Sequence, residues 1–121
     1  MPGLRGFSLK VIPRPIGKIS GLGDTDTDET AAVEITVTKG KTFHLAKVTL
    51  SSDVTCQAYI RWNGERISAI YFLSANLPFT DWFPWDWNPC LGDGSKKIDV
   101  FTPNVGTAGG TLYGELSGEE V

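Results

Sequence analysis

The densest chemistry in this chain is the run Phe79-Thr80-Asp81-Trp82-Phe83-Pro84-Trp85-Asp86-Trp87-Asn88-Pro89, which holds three of the four tryptophans within six residues. Rings beside carboxylates can do three things. They can form a sugar platform, the indoles covering apolar sugar faces while Asp81, Asp86 and Asn88 take hydroxyls. They can anchor a protein interface, because Trp brings large contact area at low entropy cost. They can also fill a satellite core beneath a long loop. In an extended strand Phe83, Trp85 and Trp87 share one face and Trp82 takes the other. Pro84 confines the run to an edge strand or an irregular loop.

Other residue groups with chemical potential are weaker. His44 is the only histidine; it alternates with Phe43 and Leu45, which points it outward from a strand. No ligand set at metal spacing accompanies it, and a triad would need a Ser and an Asp brought to it by the fold. Asp81 with Asp86 or Asp93 is the pair that glycoside hydrolysis would call on, but the spacing selects no two of the fourteen acids, and loop acids in solvent are the expected reading. Asp24-Thr25-Asp26-Thr27-Asp28-Glu29 opens like a calcium loop, then departs from it: Glu29 stands at the turn glycine and Ile35 at the bidentate Glu. A solvated acidic turn is expected there. Gly92-Asp93-Gly94-Ser95-Lys96-Lys97 lacks the spacing of a phosphate loop and leads into a strand, so it reads as a hairpin turn. No catalytic residue, metal or cofactor is assigned.

The elements that must position these groups are β-strands. Val33-Ile35-Val37 and Val54-Cys56-Ala58-Ile60 alternate with polar neighbours at period two. Phe43-Leu45 and Val48-Leu50 belong to one strand whose parity slips at Ala46-Lys47, the mark of a bulge. Asn63-Gly64 is a strong hairpin signal, with a return strand expected over Ile67–Leu73. Ser95–Thr102 and Thr111–Leu116 are expected to pair across the Gly-rich loop Asn104–Gly110. Seven or eight short strands in a 121-residue chain predict one all-β domain, an antiparallel β-sandwich of jelly-roll type over residues 24–121.

Charge divides the chain differently. Residues 1–23 hold Arg5, Lys10, Arg14 and Lys18 with no carboxylate, whereas 24–121 set seven Lys and Arg against all fourteen acids. The first segment also carries Pro2, Pro13 and Pro15 and five glycines. It reads as an extended N-terminal arm, with 19–23 a flexible link, that orders on a partner. A net charge of −3 with four dispersed arm cations argues against nucleic acid as that partner. No apolar run reaches the roughly 20 residues of a membrane span, and no signal-peptide core is visible. A cytoplasmic site of synthesis and free, buried thiols at Cys56 and Cys90 are the matching expectations.

The order of parts from Phe43 to Gly118 resembles the small β-sandwich proteins of tailed-bacteriophage virions. The likeness runs through Leu50-Ser51-Ser52, Tyr59-Ile60-Arg61-Trp62-Asn63-Gly64-Glu65 and Ile70-Tyr71-Phe72-Leu73 into Pro78. It continues in Lys97-Ile98-Asp99-Val100, Pro103-Asn104 and Gly110-Thr111-Leu112-Tyr113-Gly114-Glu115-Leu116-Ser117-Gly118. Capsid decoration (cement) proteins are similar in joining a β body to an extended terminal arm. The resemblance implies a non-enzymatic role on the capsid surface, a homo-oligomer with a trimer favoured, and the major capsid protein or another virion protein as partner. Arg5, Phe7, Leu9, Lys10, Val11, Arg14, Ile16 and Lys18 would then make the arm contacts. Trp82, Phe83, Trp85 and Trp87 fit no pattern of that group, and leave a carbohydrate- or receptor-binding tail module as the alternative.

Overall fold

Alternation at period two builds the core. The computed structural model describes residues 17–121, which form ten strands and no helix. These are β1 (Gly17–Thr25), β2 (Thr30–Thr36), β3 (Thr42–Ser52), β4 (Cys56–Trp62), β5 (Glu65–Arg66), β6 (Tyr71–Leu73), β7 (Phe79–Trp82), β8 (Cys90–Leu91), β9 (Lys97–Thr102) and β10 (Leu112–Glu120). One antiparallel sheet runs β1-β10-β3-β7, with β8 also on β3; the other runs β2-β9-β4-β5, with β6 also on β4. Between them, β3 turns in Phe43, Leu45, Val48 and Leu50, β4 turns in Ala58 and Ile60, β9 Ile98 and Val100, and β10 Leu112 and Leu116, all 0–2 % exposed.

Two expectations were met in detail. Asn63 and Gly64 both take positive φ, 51° and 86°, the mirror-image turn that the twist of a two-residue hairpin requires. The parity slip in β3 is a bulge: Leu45 faces Gly118 and Lys47 faces Ser117, so Ala46 has no partner on β10. The extra residue returns both Phe43-Leu45 and Val48-Leu50 to the core.

Four expectations are corrected. Residues 17–23 are not arm or link. They form most of β1, paired residue for residue with β10 from Gly17↔Glu120 to Thr25↔Leu112. The strand is hard to see locally because glycines occupy its inner face. A Cβ at Gly23 would collide with the Ala32 carbonyl, and one at Gly21 would press on Val33 and Ile35, so packing against β2 requires their absence. The return strand at 67–73 is broken. Ile67 N–H donates to Ile60 O, and Ile60 N–H donates to Ser68 Oγ, so only Glu65–Arg66 and Tyr71–Leu73 remain regular. The last two strands do not pair; β9 lies between β2 and β4, and β10 between β1 and β3. Residues 92–97 likewise link β8 and β9 in different sheets and close no hairpin.

Arm residues Arg5, Phe7, Leu9, Lys10, Val11, Arg14 and Ile16 lie outside the described residues. Cys56 and Cys90 are both buried and free.

The bulge supplies a direct check on register. A methyl group at Gly118 would collide with the His44 carbonyl and come within 2.6 Å of the Phe43 ring. Gly118→Ala is expected to cost about 1–3 kcal/mol in urea unfolding, the range for overpacking a tight site. An unchanged midpoint would contradict the β3–β10 pairing described above.

Candidate functional site

The outer face of the β1-β10-β3-β7 sheet carries the exposed Trp82 and Tyr113 together with Lys18, Asp24, Lys47, Glu115 and Glu119. Register places them in rows. Lys18 faces Glu119, which faces His44; Ser20 faces Ser117, which faces Lys47 and then Trp82; Leu22 faces Glu115, Thr49 and then Thr80; Asp24 faces Tyr113 and then Ser51. The Ala46 bulge brings His44 and Lys47 to this same face, which an unbroken alternation would have prevented. Two shallow depressions lie on it. One of about 410 Å³ is lined by Leu22, Asp24, Thr49, Ser51, Tyr113 and Glu115. The other, of about 360 Å³, is lined by Lys18, Ser20, Ala46, Ser117 and Glu119.

The aromatic run divides among three environments. Trp82 ends β7 on the outer face, 69 % exposed, with Lys47 Nζ 5.3 Å from its ring centroid. Phe83 and Trp87 stack on each other at 4.2 Å and pack against the core. Trp85 leaves them and stacks on His44, ring centroids 3.7 Å apart. Phe83, Trp85 and Trp87 therefore do not share a face, because the chain leaves the strand at Phe83 and turns, Trp87 N–H donating to Pro84 O. Phe83 and Trp87 thus form a satellite of the core, while Trp82 and Trp85 stay exposed. His44 Nδ1 lies 2.7 Å from the Trp85 carbonyl. A carbonyl only accepts, so Nδ1 is the donor in this hydrogen bond.

Asp81, Asp93 and Asp28, of the acids singled out in the sequence, are occupied by local structure, whereas Asp86 is exposed. Asp81 accepts from the Tyr71 hydroxyl at 2.9 Å and from Trp82 N–H at 3.0 Å. Burial, then the Asp81 carboxylate, push the Tyr71 phenol well above its usual range. Asp93 accepts from Ser95 N–H and Lys96 N–H, both at 2.8 Å, and from the Ser95 hydroxyl. Those donors, the Ser95 amide foremost, hold it down at about 2. The amides that a phosphate loop would offer are thus taken by the chain's own carboxylate. Asp28 does the same for the loop between β9 and β10, accepting from Gly106 N–H at 2.6 Å and from the amide and hydroxyl of Thr107. The acidic turn ties the β1–β2 connection to that loop, and Glu29 occupies the calcium-loop glycine position with φ of 58°.

The second sheet's outer face is built around one buried carboxylate. Asp99, 6 % exposed, is held by Arg61 through Nε at 2.9 Å and Nη2 at 2.8 Å. The guanidinium lies 3.9 Å from the Phe101 ring centroid, and Tyr59 packs beside Phe101. A two-point pair with a stacked guanidinium is the arrangement that offsets the cost of burying the charge. Among the described residues no three His, Cys, Asp or Glu side chains are placed to hold a metal, and no helix is long and apolar enough to cross a membrane.

No protein-family model matches this chain, and no curated protein matches it in sequence. What it does is therefore read from its own residues. Lys18, expected to make an arm contact, instead lies in β1 on the same outer face as Trp82 and as His44, on which Trp85 stacks. Sequence reasoning passed over Leu22, Asp24, Lys47 and Tyr113 as surface contributors. The bulge was the signal for Lys47; for the others it was the pairing of β1, which no local pattern announces.

Asp28 and Asp93 set an acid limit. Thr107 and Gly106 donors lower Asp28 from its ordinary value, the Thr107 hydroxyl most, as Ser95 and Lys96 do Asp93. Each folded-state pKa lies below the unfolded one, so the unfolded chain binds more protons in the window between them. Their contribution to stability is therefore full above about pH 5 and is lost as pH drops from about 4 to 2. Urea midpoints measured across that range test this, and an Asp28→Asn/Asp93→Asn variant should show a shallower acid slope.

Proposed function

We propose that this chain is a non-enzymatic virion protein of jelly-roll type, a decoration protein that attaches to a capsid through the residues before Gly17. The strand order supports the jelly-roll reading: β1-β10-β3-β7 faces β2-β9-β4-β5 with β6, and successive long strands β1 to β4 alternate between sheets. Viral capsid domains and lectins share that architecture. The observation that carries the docking role is the makeup of the sequence ahead of β1. Residues 1–16 have Arg5, Lys10 and Arg14 but no carboxylate, interleaved with Phe7, Leu9, Val11 and Ile16. The body behind them sets eight Lys and Arg against fourteen acids. We place attachment within residues 1–16, because residues 17–23 belong to β1.

The physics of such a role is consistent. Apolar side chains in an extended segment can add a strand or fill pockets on a partner, and the cations set register on an acidic surface. Many copies on one shell let each contact be weak. Deleting residues 1–16 is expected to abolish co-sedimentation with the native particle while leaving the circular dichroism of the body unchanged. Retained attachment would contradict the role.

A second reading has its own observation. Trp82 stands exposed beside Lys47, Thr49 and Thr80, a ring with polar neighbours of the kind that receives a sugar. Were the body a carbohydrate-binding or receptor-binding tail module, glycan-array binding by the whole chain would fall at least ten-fold in Trp82→Ala, the worth of one stacked ring. Absence of glycan binding by the parent protein would end this reading.

A further inference from the structure

Within the described residues, β1 stands at one side of its sheet. Among the described residues β1 pairs with β10 alone, so alternate residues turn their N–H and C=O groups toward a free edge. Nine residues make a long edge, and such edges recruit other strands unless they are guarded. Leu22 on its outer face is 79 % exposed. Lys18 and Asp24 on the same face are exposed, and neither belongs to the ion pairs made among the described residues, Arg61–Asp99 and Lys97–Glu34.

We propose that β1 is the seam of a two-fold dimer, pairing antiparallel with β1 of a second copy of this chain. The strand's own limits choose the register. Only pairing centred on Gly21 engages all nine residues, Gly17 opposite Thr25 of the second copy. That register sets Lys18 opposite Asp24 of the second copy, and symmetry makes the pair twice. A lysine on an edge strand ordinarily discourages pairing. Here an aspartate six residues on neutralises it at the one register that uses the whole strand. Lys18 then lies between two carboxylates, since Glu119 already faces it across β10. Leu22 falls opposite Ser20 and diagonal to Leu22 of the second copy, roughly 7–8 Å away, within reach of apolar contact. Gly21 meets its own symmetry mate, with no side chain to obstruct the axis.

The seam would join the two outer faces into one continuous surface. It would also send the two leading segments off at opposite ends of the paired strands, about 27 Å apart at 3.4 Å per residue. A body with two separated attachment segments can bridge neighbouring subunits of a shell, although the dimer itself does not depend on that role.

Sedimentation equilibrium on the full chain tests this. Concentration-dependent dimerisation is expected. Lys18→Glu or Asp24→Lys alone should weaken it about ten-fold, because two opposite-charge contacts become like-charge ones. The double variant Lys18→Glu/Asp24→Lys should restore it, a rescue that a merely structural role would not give. Both positions are solvent-exposed, and thermal melts of each variant report folding separately. A chain that stays monomeric at every concentration, as it would if its own residues 7–11 covered β1, overturns the proposal. So does a trimer, and so does a double variant that associates no better than the singles.

Discussion

Two sheets must bring their inner faces together, and at the β1–β10 side they do so at a separation that only glycine permits. Gly21 and Gly23 on β1, with Gly114 on β10, face β2 at distances where a methyl group would press on Val33 or strike the Ala32 backbone. This close approach holds the first and last long strands of the body against the rest. Val121 and Thr42 exchange backbone hydrogen bonds at 2.8 and 3.0 Å, so the chain's end is fastened to β3 as well. The cost is chain entropy, because most contacts join residues distant in sequence. In return the body has a core of side chains fully withdrawn from solvent.

Polar side chains do the rest of the fastening. Asp28, Asp53 and Asp93 each accept backbone N–H groups from connections that would otherwise leave donors unpaired, with Asp53 taking Thr111 N–H at 2.7 Å. Three of the fourteen acids thus anchor loops as well as adding to the body's negative charge. An acidic body following a basic leading segment supports the proposed docking role through electrostatic register, with no requirement for a cleft.

How much of this the residues disclose in advance depends on how local the cause is. The Asn63-Gly64 turn and the inward faces of residues 33–37 and 54–60 were legible, because conformational preference and period two act within a few residues. The Ala46 bulge was legible too, from apolar parity on either side of it. β1 was not, since Gly21 and Gly23 look like linker until Ala32 and Val33 stand opposite them. The partition of β9 and β10 between sheets was hidden for the same reason, as pairing partners are chosen by the whole topology. Of the aromatic segment, the sequence held all three environments open. The structure assigns Phe83 and Trp87 to the core and leaves Trp82 and Trp85 on the surface.

The proposed role makes one demand above others: the chain ahead of Gly17 must be where contact with the partner is made. Cryo-electron microscopy of the native particle saturated with this protein examines that directly. The account predicts β-body density outside the shell, with continuous density leading from Gly17 into contacts with capsid subunits. A body held to its particle through Trp82 and Trp85, with residues 1–16 pointing away from the shell, would contradict it.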